Sequence, residues 1–67
     1  MTPGEKFYLM TPRGRVLLRV ESDSPGYDIS RDEFRDDYAD VVGLDGPGAG
    51  IRCGVSKAIL IPFDQEP

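Results

Sequence analysis

The sequence holds no histidine, no tryptophan and a single cysteine, Cys53, among its 67 residues. Without histidine, no Ser–His or Cys–His pair can activate a nucleophile. A lone cysteine excludes an internal disulfide, and without histidine or further cysteines a structural zinc site has no ligand set. No metal and no cofactor is therefore expected. Apolar runs are short, and none approaches the ~20 residues of a membrane helix. The first residues do not read as a signal peptide, so the chain is expected in the cytoplasm, away from any membrane.

Other patterns fail on their spacing. Gly46-x-Gly48-x-Gly50 has the wrong spacing for the dinucleotide fingerprint G-x-G-x-x-G, and no Gly-Lys-Ser/Thr follows it. The stretch from Glu21 to Asp32 resembles a calcium loop poorly, with Pro25 at a ligand position and Asp32 where a bidentate glutamate belongs. Cys53 has Arg52 beside it, but neighbours on a strand face opposite ways, and a free cysteine is usually a small buried hydrophobe. Paired carboxylates could in principle run acid–base chemistry, but they need a pocket of ~300 Å³ or more. A chain this short is not expected to form one, and the expectation is a binding protein and not an enzyme.

What the chain does have is polarised charge. Its net charge is −4. Residues 1–20 carry Lys6, Arg13, Arg15 and Arg19 against Glu5, whereas residues 21–45 carry nine acids against Arg31 and Arg35. The length allows one domain, residues 1–67, and a domain this small is marginal in stability.

Residues 6–22 read as a β-hairpin. Thr11-Pro12-Arg13-Gly14 has the proline and glycine placement of a type I turn. After it, Val16, Leu18 and Val20 alternate with Arg15, Leu17, Arg19 and Glu21. Asp23-Ser24-Pro25-Gly26 reads as a second turn. Ser30 and Glu33 form a capping box, and Ile29 and Phe34 have the spacing of a hydrophobic staple, which predicts a helix from Arg31 to Ala39 or Asp40. Phe34, Tyr38 and Val41 or Val42 would be its buried stripe. Residues 45–50 read as a loop and 51–55 and 58–63 as strands, with Pro62 placing the last on an edge. Residues 64–67 are expected to fray. The expected class is α+β: a small curved antiparallel sheet or partial β-barrel of about five short strands with one short helix.

On that helix Asp32, Asp36 and Asp40 would align, with Glu33 and Asp37 beside them. Each like-charged i,i+4 pair costs roughly 0.2–0.5 kcal/mol. A marginal domain that tolerates this layout points to a basic partner, with plain solubility as the simpler account. Carboxylates about 6 Å apart along a helix approximate the spacing of phosphates, so the acids Asp28, Asp32, Glu33, Asp36, Asp37, Asp40 and Asp45 are the candidate partner-binding surface. Arg13, Arg15 and Arg19 could form a basic stripe near Tyr8, but the acidic balance argues against direct nucleic-acid binding.

The run Asp28-x3-Asp32-Glu33-x2-Asp36-Asp37-x2-Asp40 resembles the small phage-encoded anionic anti-CRISPR proteins directed at type I effector complexes. The resemblance implies an inhibitor that presents a duplex-DNA-like surface to a basic groove. The alternative is a general interaction module or homodimer that uses a sheet edge or apolar patch.

Overall fold

Thr11 and Gly14 close a two-residue turn through Pro12 and Arg13, and the Thr11 hydroxyl donates to the Gly14 carbonyl at 2.6 Å. Gly14 has a φ of 115°, a conformation that glycine adopts without strain. In the computed structural model, which describes residues 1–65, this turn joins β1 (Lys6–Thr11) to β2 (Gly14–Asp28). The expected hairpin forms in the expected register, with Phe7 opposite Leu18 and Leu9 opposite Val16. Glu66 and Pro67, and with them the end of the tail expected to fray, lie outside the described residues.

β2 does not stop at Ser22. Residues 23–26, read from composition as a turn, continue the strand through a series of register shifts against β3 (Glu33–Gly43). Val20 pairs with Val41 and Ser22 with Asp40; Pro25 then pairs with Ala39, and Gly26 with Arg35. Asp23 and Ser24 thus bulge from β2, and residues 36–38 bulge from β3. Proline has no N–H to give a ladder, and a bulge is where a strand tolerates it.

The predicted helix at 31–40 is absent. Ser30 serves a different structure: its N–H and hydroxyl both donate to Asp28 Oδ1, at 3.0 and 2.7 Å. This local bonding competes with a helix start and favours a turn. Residues 29–32 form a hairpin loop closed by the Asp28–Glu33 pair, and Asp32 takes the left-handed conformation, φ 52°. Aspartate is one of the few residues that visits that region readily. From Ala39 onward the burial alternates as in a strand, with Ala39, Val41 and Gly43 inside. The Asp-rich segment is a poor helix former, and in the strand Val41 pairs with Val20 and both are fully buried.

The strands are all antiparallel, in the order β4-β3-β2-β1-β5, with β4 at Arg52–Ser56 and β5 at Leu60–Pro62. Five strands in one sheet match the expectation, but the sheet is not closed, and the fold is mostly β and not α+β. The helical segments among the described residues are two 3-10 turns, Lys57–Ile59 and Phe63–Gln65. Ser56 caps the first by accepting from the Ala58 N–H. Pro62 lies on an edge strand, as its chemistry requires.

The core lies on one face of the sheet: Phe7, Leu18, Val20, Ala39 and Val41 are buried, with Leu9, Val16, Val55 and Leu60 against them. On the reverse face Tyr8 stacks on Phe63, with ring centroids 5.4 Å apart, and Arg15 lies 4.5 Å from the Tyr8 centroid. The bulges bend the outer half of the β2–β3 hairpin, residues 25–36, back over β4. The Tyr27 backbone passes so close to Gly54 that a Cβ there would lie 2.5 Å from its nitrogen and closer still to its carbonyl oxygen. Glycine is the residue that allows the crossing.

Candidate functional site

The bent hairpin arm carries most of the candidate acids, and the fold uses several of them. Asp28, only 3% exposed, accepts from Ser30 and lies 3.7 Å from Arg31 and 3.9 Å from Arg35. Asp37 takes Arg35 in a two-bonded pair, Nε at 2.8 Å and Nη2 at 3.0 Å. Glu33 lies 3.8 Å from the same guanidinium. Asp40 accepts from Arg52 Nε at 2.9 Å, from Arg52 Nη2 and from the Ser22 hydroxyl at 2.8 Å. Asp45 accepts from the Leu17 N–H at 2.9 Å, tying the loop after β3 to β2.

The side chains of Asp32 and Asp36 have no hydrogen bond or ion pair among the described residues. The seven acids therefore share no helical face. Asp28, Asp37, Asp40 and Asp45 are internal fasteners, while Asp32, Asp36 and the weakly paired Glu33 remain open around the arm. The expected alignment of Asp32, Asp36 and Asp40 is replaced by a strand that bulges at residues 36–38.

These bonds lower the pKa of three carboxyls. The Ser30 hydroxyl holds Asp28 below the ordinary range, Arg35 does the same for Asp37, and Arg52, helped by Ser22, for Asp40. Because the folded values lie below the unfolded ones, the stabilisation is complete above about pH 4 and is lost as the pH falls through the folded values. We expect a flat unfolding midpoint from neutral down to about pH 5 and a progressive fall below about pH 4. Asp40→Asn should make that fall shallower in a thermal melt series. A fall of unchanged steepness in that variant would show that Asp40 is not one of the linked groups.

Between the arm and β4 lies a cleft of about 470 Å³, lined by Pro25, Tyr27, Ile29, Phe34, Cys53 and Gly54, with Asp40 and Arg52 beside them. Its volume exceeds what was expected of so short a chain, because the arm folds back over β4 instead of adding to a flat sheet. Tyr27 and Phe34 are paired across the hairpin and meet edge to face, centroids 5.2 Å apart at 67°. Ile29 is 87% exposed and Phe34 72% exposed. Read as a staple, this pair would have covered a helix start; in the hairpin they flank the loop and face outward.

Cys53 is exposed and not buried as expected, since β4 is an edge strand. Partial burial, and then the Asp40 charge, push its thiol up, so it is not prepared as a thiolate. Asp40 is ionised and fully occupied by its donors, which leaves it a weak base. No group of three potential metal ligands comes together among the described residues. No described helix is long and apolar enough to cross a membrane. The arrangement is suited to non-covalent contact: aromatic and aliphatic surface, a shaped recess and an acidic surround.

Sequence reasoning missed Tyr27, Pro25 and Arg52 as parts of this site. A usable signal was present in the two large apolar residues bracketing Ser30-Arg31-Asp32-Glu33, a polar loop with a left-handed-tolerant aspartate near its end. Comparison with known proteins finds no matching family model, no matching curated protein and no matching solved structure.

Proposed function

We propose that this protein is a binding module that holds a basic, apolar-bearing protein segment in the cleft between its hairpin arm and β4. The observation that carries this is the exposure of Ile29 and Phe34 beside a recess that an apolar side chain can enter. Exposed apolar surface grouped in this way marks an interaction site, and buried aromatic anchors dominate binding energy. The sign of the partner follows from the arm. Residues 27–37 carry five acids against Arg31 and Arg35, and Asp32 and Asp36 are open to pair with lysine or arginine.

The probe is a blocked peptide of alternating lysine and phenylalanine, with a glutamate–phenylalanine peptide as control. The basic peptide should shift the backbone resonances of Tyr27, Phe34 and Arg52, and the acidic one should not. Phe34→Ala should weaken binding about tenfold or more, the loss of one anchor contact, and should leave the fold intact because the ring is exposed. Equal binding by Phe34→Ala would overturn the proposal.

A second reading keeps the three open carboxylates Asp32, Glu33 and Asp36 as its support: a charge mimic of duplex DNA, the inhibitor role implied by the resemblance to anti-CRISPR proteins of type I systems. It requires binding that is indifferent to Phe34, whereas the cleft reading requires the ring. The same titration separates the two.

A further inference from the structure

We infer that one occupant of this cleft is a second copy of the chain, which inserts its β1–β2 turn and so joins copies head to tail. The inference rests on the cleft reading above and names its partner. The turn has the chemistry that the cleft requires. Met10 is 55% exposed at its edge, and the Arg13 side chain has no hydrogen bond or ion pair among the described residues. Residues 6–19 contain Lys6, Arg13, Arg15 and Arg19 and no acid. Methionine is a flexible, adaptable anchor for a recess of mixed shape, and Arg13 meets the open Asp32 and Asp36 of the arm.

The two surfaces cannot satisfy each other within one chain. The turn precedes Gly14 and the arm loop follows Asp28, so they lie at opposite ends of the same strand, β2. Complementary patches at opposite ends of one strand join different copies, and the contact is heterologous: turn to cleft, leaving a free turn and a free cleft at the two ends. A turn seated in a recess buries less than a standard interface of ~1,200 Å², which places the contact in the weak, reversible class. Opposite charges across it make it salt-sensitive.

The test is sedimentation of the full chain over a wide range of concentration, followed by mixing of two variants. The wild type should rise in mean mass with concentration and fall back when salt is added. Phe34→Ala lacks a working cleft but keeps its turn; Met10→Ala with Arg13→Glu lacks a working turn but keeps its cleft. Each should remain monomeric alone, and their equimolar mixture should form a one-to-one pair and grow no further. Ile29→Ala serves as a second cleft variant, and unchanged melting curves establish that all are folded.

Association of the wild type without complementation in the mixture would overturn the head-to-tail arrangement. A wild type that stays monomeric throughout would overturn self-association. If it does so while still binding the lysine–phenylalanine peptide through Phe34, the cleft reading survives. If that peptide also fails, both fall.

Discussion

Gly54→Ala is expected to lower the thermal unfolding midpoint by about 10 °C or more. The added Cβ would stand 2.5 Å from the Tyr27 nitrogen and 2.8 Å from its carbonyl carbon. These are backbone atoms, held in the ladder with β3 on either side, and they cannot rotate away as a flexible side chain would. Overpacking in a filled interior costs about 1–3 kcal/mol, and a domain of this size has a net stability of only about 3–10 kcal/mol. Each kcal/mol lost shifts the midpoint by roughly 4–8 °C. The arm is also the wall of the cleft, so the variant should lose peptide binding at temperatures where it is still folded. Gly48→Ala is the matched control, because a Cβ there meets nothing within 4 Å. Equal melting of the two variants would show that the arm does not cross β4 as described.

Val41→Ala should come next, with a loss of about 1–3 kcal/mol. Val41 is 0% exposed and Val20 1%, and they face each other across β2 and β3. They are the largest fully buried side chains among the described residues, so the cavity left by either is lined by groups already in place. Partial collapse sets where in the range the cost falls. Denaturant unfolding of Val41→Ala, Val20→Ala and the double variant would measure it. The double variant should be less destabilised than the two losses added together, because neighbours that share a cavity couple. Strict additivity would mean that the two valines do not share one packing unit.

The β1–β2 hairpin was legible because its signals are local. Pro12 and Gly14 fix the turn, and Val16, Leu18 and Val20 alternate with Arg15, Leu17, Arg19 and Glu21 in a single stretch. The segment from Ser30 was misread because its local and non-local signals conflict. Ser30 and Glu33 satisfy the pattern of a capping box, but Asp28, two residues earlier, takes the serine's donors and sets a hairpin loop instead. What decides for strand is distant in sequence: Val41 and Ala39 need the face of β2 and β4 to bury against. The four aspartates within 31–40 and the β-branched pair Val41-Val42 were the available warnings.

The acids show the same limit. Their clustering was visible, but their roles depend on arginines brought by folding. Asp40 reads as one of a row of charges until Arg52, on the neighbouring strand, is laid against it. Asp45 reads as part of a glycine-rich loop until it meets the backbone of Leu17. A charge run reports its composition to the reader, and its partners only to the folded chain.

The two outer strands of the sheet, finally, bear on solubility. An unclosed sheet leaves two rows of backbone donors and acceptors that can recruit strands from other molecules into fibrils. Here those rows are brief: β5 has three residues and ends in Pro62, which has no N–H to share, and β4 has five, one of them crossed by the arm at Gly54. Short, interrupted borders give an invading strand little to template on. A marginal domain that must sometimes open can therefore reclose before its backbone is captured.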